Sequence, residues 1–370
     1  MRTRKHLTYY NFGEASMRII SVVGARPQFI KAGQVSREIR KKHEEMIVHT
    51  GQHYDPPMSA HFFDELKIPK PDFNLGVGSG SHAEQTGKMV VGVEKILMDK
   101  KPELVLVYGD TNSTLAGGLA AVKVHIPVAH VEAGLRSYNT KMPEEINRIL
   151  VDRISSLLFC PTKTSVENLT KEGITKGVHL VGDVMYDAAL HNKELAKRST
   201  ILDRLGLEKK GYLLVTLHRP SNTDIKENME SIVDALISSG EDIVFPVHPR
   251  ALKYLKEYGL HAKLDQAIRL LEPVGYLDFT CLAMNAKKIL TDSGGVQKEA
   301  YFHEVPCLTL RDETEWVETV DDGWNILVGA DKKKILEAIS SFSPSGERRE
   351  SYGDGRASEK IARIVEEGMD

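Results

Sequence analysis

The stretch Leu104 to Arg148, LVLVYGDTNSTLAGGLAAVKVHIPVAHVEAGLRSYNTKMPEEINR, constrains the fold more than any other part of the chain. Two apolar, β-branched runs, Leu104 to Tyr108 and Ile126 to Val131, are bounded by turn residues and separated by an Ala/Leu/Gly pattern of helical period. That is a βαβ unit of a parallel sheet. In such sheets the carboxyl ends of the strands face the ligand crevice, and here those ends carry Gly109-Asp110-Thr111 and Glu132-Ala133-Gly134. Glu144-Glu145 follows within one loop. Three carboxylate positions, Asp110, Glu132 and Glu144, therefore converge on one rim, as acid/base chemistry requires. Each also has a structural reading: Asp110 as a cap for the next helix, Glu144 as a partner of the helix dipole after Pro143, Glu132 as a partner of Arg136.

A chain of 370 residues that is 41% hydrophobic has material for two cores. Lys plus Arg (49) nearly balances Asp plus Glu (52), and the net charge of -3 argues against a nucleic-acid or membrane-surface protein. No apolar run approaches membrane-spanning length and the N-terminus lacks a signal-peptide core. Cys160, Cys281 and Cys307 are far apart with no C-x-x-C, which suggests neither disulfides nor a zinc site. These features together describe a cytoplasmic enzyme.

Residues 1–16 have no clear periodicity and read as a disordered leader or the product of an upstream start codon. The first domain, residues 17–182, opens with the buried-strand run Ile19 to Val23, which ends at Gly24-Ala25-Arg26-Pro27. Pro27 suits a first helical position, and the preceding glycine would let a ligand approach free N–H groups, with Arg26 and Lys31 adding positive charge. A second strand, Met46 to His49, leads to Thr50-Gly51-Gln52-His53-Tyr54-Asp55. Helical patterns follow at Ser59 to Leu66 and Ala83 to Met98, and the intervening Gly76 to Ser81 segment reads as a flexible lid.

Residues 183–352 repeat the α/β rhythm. Strand Tyr212 to Thr216 ends in His218-Arg219-Pro220, Ile243 to Val247 ends in His248-Pro249-Arg250, and a strand near Ile268 to Leu270 leads to Tyr276. The strongest anion-binding signal is Ile289 to Glu299, where a strand enters Ser293-Gly294-Gly295 at a helix start. The Ser293 hydroxyl and unencumbered N–H groups there would hold a diphosphate, and Glu299, two turns on, would accept from ribose hydroxyls. No G-x-x-x-x-G-K-S/T supports an ATPase. Residues 353–370 form a terminal helix that crosses back onto the first domain. The expected fold class is α/β, with two Rossmann-like domains facing across a cleft.

In order, the chain contains GARPQFIK (Gly24 to Lys31), TGQHYD (Thr50 to Asp55), YGDTNSTLAG (Tyr108 to Gly117), HVEAGLR (His130 to Arg136), MPEEINR (Met142 to Arg148), HRP (His218 to Pro220) and TDSGG-x-Q-x-E (Thr291 to Glu299). With these seven motifs, the chain from Met17 resembles the non-hydrolysing UDP-N-acetylglucosamine 2-epimerases, which have a GT-B fold. The resemblance implies elimination of UDP across C1 and C2 of the sugar, giving a 2-acetamidoglucal, then re-addition with a proton delivered to the opposite face. It assigns Asp110, Glu132, Glu144, His218 and Lys31 to catalysis. It puts Arg26, Arg219, Ser293, Gly294, Gly295, Glu299 and Arg311 around phosphate and ribose, with Tyr276 near the uracil. No metal or cofactor is implied, and a homodimer is. Gln52, His53 and Gln85 resemble a neighbouring regulatory substrate site, although Glu84 stands where an arginine is common.

A second departure is Arg311-Asp312-Glu313-Thr314-Glu315-Trp316-Val317-Glu318, where many members read R-D-x-T-E-R-P-E. The Trp-Val variant resembles a branch that includes 2-epimerases of UDP-2,3-diacetamido-2,3-dideoxyglucuronic acid. A GT-B glycosyltransferase would share the nucleotide-binding half but would not need three rim carboxylates. A nucleotide-sugar sensor would tolerate their loss.

Overall fold

The apolar runs read from the sequence form strands whose carboxyl ends carry the candidate groups. The structure, a computed structural model, describes residues 16–52, 63, 66–344 and 346–368. Residues 1–15 of the leader, His53 and nearly all of the helix expected from Ser59 lie outside the described residues.

Seven strands, β1 (Arg18–Val23), β2 (Glu44–His49), β3 (Phe73–Asn74), β4 (Leu104–Tyr108), β5 (Val128–Val131), β6 (Leu157–Cys160) and β7 (Val178–Leu180), form one sheet in the order β3-β2-β1-β4-β5-β6-β7. Six more, β8 (Leu213–Thr216), β9 (Ile243–Pro246), β10 (Arg269–Leu271), β11 (Lys288–Thr291), β12 (Cys307–Thr309) and β13 (Asn325–Leu327), form a second in the order β10-β9-β8-β11-β12-β13. Every pairing is parallel. The chain is thus α/β with two Rossmann-like sheets, as expected from its alternation. In each sheet the strand order reverses beside the first strand laid down, between β1 and β4 and between β8 and β11. Ligands bind at such switch points, outside the carboxyl ends of the strands.

The described residues fall into two units, one running to Ala188 and resuming at Ser351, the other Ala189–Glu350. The expected divisions fall after Gly182 and after Tyr352. The first division falls later, inside the helix Val184–Ala196, which begins just past the expected joint. In the first unit, Ile20, Val22, Val105, Val107 and Val128 pack with Val93 and Leu97 of the helix His82–Lys100. In the second, Leu213, Val215 and Leu290 pack with Ile232 and Leu236 of the helix Lys226–Ser238.

The helix Ala357–Glu367 belongs to the first unit and packs on the helix Arg26–Ile39. Its buried residues Ala357, Ile361 and Val365 recur at helical spacing. Asp187 caps its start, accepting from Ala357 N at 3.0 Å and Ser358 N at 2.7 Å. Among the described residues no helix is long and apolar enough to cross a membrane. All three cysteines are buried free thiols.

Candidate active site

In the first unit, β1 ends at Gly24 and the helix Arg26–Ile39 begins with Pro27 in its first turn, which needs no N–H donor there. The expectation of free N–H groups at this turn is corrected. Gln28 Oε1 accepts from Gly24 N at 2.8 Å and Ala25 N at 3.0 Å, while its Nε2 donates to Tyr108 O at 2.6 Å. A Cβ at Gly24 would stand 2.0 Å from Ser113 Oγ and 2.2 Å from Thr50 Oγ1. Glycine is needed here because β1 and its neighbours close on one another. Arg26 is exposed.

Lys31, one turn further, is buried and pairs through Nζ with Glu132 Oε2. A Cβ on Gly109 would lie 3.2 Å from Glu132 Oε2 and 3.3 Å from Lys31 Nζ, so the pair stands beside the Gly109-Asp110 turn after β4. Glu132 has φ of 73°, a left-handed conformation costing a side-chain-bearing residue about 1–3 kcal/mol. Its N and that of Ala133 both donate to Phe159 O at 3.1 Å, which turns the chain sharply off β5. The suggested Glu132–Arg136 pair does not form. Arg136 Nη1 instead meets Asp152 Oδ2 at 2.7 Å and its Nε meets Glu172 Oε1 at 2.6 Å. Burial would raise the Asp152 carboxyl, but His130 and Arg136 outweigh it and hold the group below the ordinary range.

Asp110 does not cap the next helix. Thr111 is the N-cap, accepting from Thr114 N, and the Asp110 carboxylate pairs with Arg148 Nη2. Glu144 and Glu145, adjacent in sequence, have opposite environments. Glu145 is 1% exposed and accepts from Ser137 N at 2.9 Å, Ser137 Oγ at 3.0 Å, Tyr138 N at 3.0 Å and Arg148 Nη1 at 3.0 Å. Glu144, half-buried in the first turn of the helix Pro143–Ile154, makes no hydrogen bond or ion pair among the described residues.

The two described members of the suggested regulatory trio meet one helix start. Gln52 Oε1 accepts from Ser113 Oγ at 2.6 Å, and Gln85 Oε1 accepts from Asn112 Nδ2 at 2.8 Å. The start of the Gly76 to Ser81 segment, expected as a flexible lid, is hydrogen-bonded to the loop after β2 and to Gln85. Val77 N donates to Thr50 O at 3.1 Å, Gly78 N to Gly51 O at 3.0 Å, and Gln85 Nε2 to Gly78 O at 2.8 Å.

In the second unit, the loops after β8 and β11 are joined by Asp292, a member of the Thr291 to Glu299 motif whose role the sequence alone does not single out. Fully buried, it accepts from His218 N at 3.1 Å, Arg219 N at 2.9 Å and Asn222 Nδ2 at 3.1 Å, and faces His218 Nδ1 at 3.1 Å. The signal that could have found it was an acidic residue at a strand end opposite a histidine. Arg219 Nε is buried without a hydrogen-bond partner among the described residues, a donor that an anionic ligand would satisfy.

Ser293 caps the helix Gly294–Phe302, its Oγ accepting from Val296 N at 3.4 Å, which leaves its own proton to donate. The N–H groups beyond it are less open than expected, because Glu315 Oε1 would lie 2.3 Å from a Cβ on Gly294. Gly295 follows in the same first turn, and a Cβ there would lie 3.8 Å from Ser293 Oγ. Glu315 Oε2 takes Arg311 Nη1 at 3.0 Å. Burial would push the Glu315 carboxyl up, but Arg311 and, more weakly, Arg219 hold it below the usual range. Tyr276 donates its hydroxyl to Glu299 Oε1 at 2.8 Å, and burial raises the Glu299 carboxyl to about 7. Among the described residues, no group of three or more His, Cys, Asp or Glu is arranged to hold a metal ion.

Lys31, Glu132 and Asp110 thus share the β1/β4 switch point, and His218, Arg219 and Ser293 share that of β8/β11. Residues 37–366 match the family model for UDP-N-acetylglucosamine 2-epimerase. The chain is 58% identical to a UDP-N-acetylglucosamine 2-epimerase homolog of Methanococcus maripaludis, over 94% of this chain and 99% of that protein. It is 48% identical to the UDP-2,3-diacetamido-2,3-dideoxy-D-glucuronate 2-epimerase of Pseudomonas aeruginosa, again over 94% and 99%. A crystal structure of Methanocaldococcus jannaschii UDP-GlcNAc 2-epimerase, in complex with UDP-GlcNAc and UDP, superposes with a TM-score of 0.88 at 45% identity, covering 95% of this chain and all (100%) of that one. With the sheet order, the seven motifs and these likenesses in agreement over nearly the whole length, the chain belongs to the UDP-N-acetylglucosamine 2-epimerase family.

Proposed function

We propose that this protein is a non-hydrolysing 2-epimerase that inverts C2 of UDP-N-acetylglucosamine to give UDP-N-acetylmannosamine. The observation that carries this reading is the gathering of Asp110 and the Lys31–Glu132 pair at the β1/β4 switch point, with Glu144 on the helix that grips Asp110. C2 carries no adjacent carbonyl, so its proton is too weakly acidic for direct removal and return. In the proposed route a carboxylate takes the C2 proton as the C1–O bond breaks and UDP leaves, forming the C1=C2 bond of a 2-acetamidoglucal. UDP then adds back at C1 while a proton reaches C2 from the other face. Two proton-handling groups and a held diphosphate are the requirements.

In this proposal the first unit supplies the proton chemistry through Asp110, Glu132 and Glu144, with Lys31 fixing Glu132. Arg26 adds a cation. The second supplies UDP binding through Arg219, Ser293, Gly294, Gly295 and Arg311 for the diphosphate, Glu299 for the ribose and Tyr276 for the uracil side, with His218 at the leaving oxygen. No metal or organic cofactor takes part. Gln52, His53 and Gln85 are the proposed regulatory contacts. A homodimer in the cytoplasm completes the reading, and light scattering tests the assembly.

One observation favours a second substrate. The buried Trp316 replaces the arginine of the usual R-D-x-T-E-R-P-E pattern, and the Pseudomonas relative acts, by its name, on the diacetamido-glucuronate nucleotide. Both sugars carry a C2 acetamido group and anomeric UDP, so the chemistry is unchanged. The test incubates pure protein with each UDP-sugar in deuterated water and follows C2. Deuterium at C2 with the manno epimer of UDP-N-acetylglucosamine supports the first substrate. Turnover of only the acid sugar selects the second, and no exchange with either sinks the reading.

A further inference from the structure

The helix Pro143–Ile154 carries Glu144 and also grips Asp110 at two points. Asn147 Nδ2 donates to Asp110 O at 2.9 Å, and Arg148 Nη2 donates to Asp110 Oδ2. Glu144 and Arg148 are four residues apart on this helix and so project from one face. Asp110 is thus held by the helix face from which Glu144 projects. The Arg148 side chain is 6% exposed against 30% for Asp110, so the guanidinium lies behind the carboxylate and leaves its outer face open. The other end of the fork is anchored by Glu145, itself held by the Ser137-Tyr138 loop.

We propose that Arg148 is a positioning residue for Asp110, keeping its carboxylate in register with Glu144 across the reacting C1–C2 bond. The inference rests on the 2-epimerase reading. Asp110 sits on a turn, where an aspartate has several rotamers, and a forked guanidinium tied at its far end to a buried carboxylate selects one of them. A lysine would keep the charge and lose the fork. Displacing a reacting group by about 1 Å costs on the order of 100-fold in rate.

The test is a double-mutant cycle on C2 exchange and turnover, using Arg148→Ala, Arg148→Lys and Asp110→Ala with whichever sugar nucleotide the wild type accepts. Arg148→Ala is expected to lower kcat about 100-fold with KM within about threefold, and Arg148→Lys to recover part of the loss. In the Asp110→Ala background, Arg148→Ala should cost less than about threefold more, because it acts through the missing carboxylate. An equal loss in both backgrounds, or a raised KM at unchanged kcat, overturns the proposal. Failure of the wild type with both sugars would sink the 2-epimerase reading instead. The pair is then read by the same cycle on urea unfolding, where coupling supports it and additivity overturns it.

Discussion

The fully buried carboxylate of Asp292 stands 3.1 Å from His218 Nδ1. The two residues come from strand ends that neighbour each other only because β8 and β11 pair, with Thr216 opposite Thr291. A carboxylate at Nδ1 fixes the imidazole so that Nε2 faces outward, able to hold or pass a proton. The His218 side chain is 36% exposed, so Nε2 has access to a ligand. Burial would raise the Asp292 carboxyl, but His218 and its other donors hold it below the ordinary range. Asp292→Asn is expected to lower kcat by about 100-fold or more, within the range for a disturbed acid/base group. Turnover kinetics check this, with UDP binding as the control. A variant with wild-type kcat would remove Asp292 from the mechanism.

Glu144 and Glu145 should separate activity from stability. Glu145 accepts four hydrogen bonds in a buried place, so Glu145→Gln loses a charged acceptor and should cost about 1–3 kcal/mol in urea unfolding. Glu144→Gln disturbs no partner among the described residues and should leave unfolding within about 0.5 kcal/mol while lowering kcat. If the two effects were exchanged, the wrong member of the pair would have been assigned to chemistry.

The Lys31–Glu132 pair is nearly buried, with 10% and 8% of the two side chains exposed. Removing one member leaves the other charge in a poorly solvated site, and Lys31→Met should cost about 3–5 kcal/mol. Lys31→Met combined with Glu132→Gln should be milder than the single change. Urea unfolding of the three proteins decides it. A double variant less stable than the single would show that these charges do not depend on each other.

Local periodicity made most of the fold legible. Leu104–Tyr108 is a strand and Lys226–Ser238 a helix at the limits expected, since each is an apolar pattern closed by turn residues. The edge strand Phe73–Asn74 was not, because two residues carry no period. The helix Pro249–Glu257 also went unread, its pattern overshadowed by the His-Pro-Arg at its start. In the site, residue types at strand ends were readable, but partners were not. Pairing Arg148 with Asp110, or Gln28 Nε2 with Tyr108 O, depends on which strands become neighbours. Glu315 was hidden for the same reason, since only the fold carries its carboxylate to Gly294.

Glu299 links pH to stability. Its folded-state carboxyl lies at about 7 against an ordinary 4.5, with burial as the main cause and the Tyr276 hydroxyl and Lys298 acting against it. Between those values the folded chain keeps a proton that the unfolded chain has released. Stability from this group is therefore greatest below the unfolded value, falls by up to about 1.4 kcal/mol per pH unit across the window, and is level above 7. The whole fall is on the order of 3 kcal/mol. Glu299→Gln keeps an acceptor for Tyr276 and cannot ionise, so its stability relative to wild type should rise from acid to neutral pH and then hold. Urea unfolding of both proteins at intervals from pH 5 to 8 gives the comparison. Parallel curves would mean that Glu299 titrates as an ordinary carboxylate.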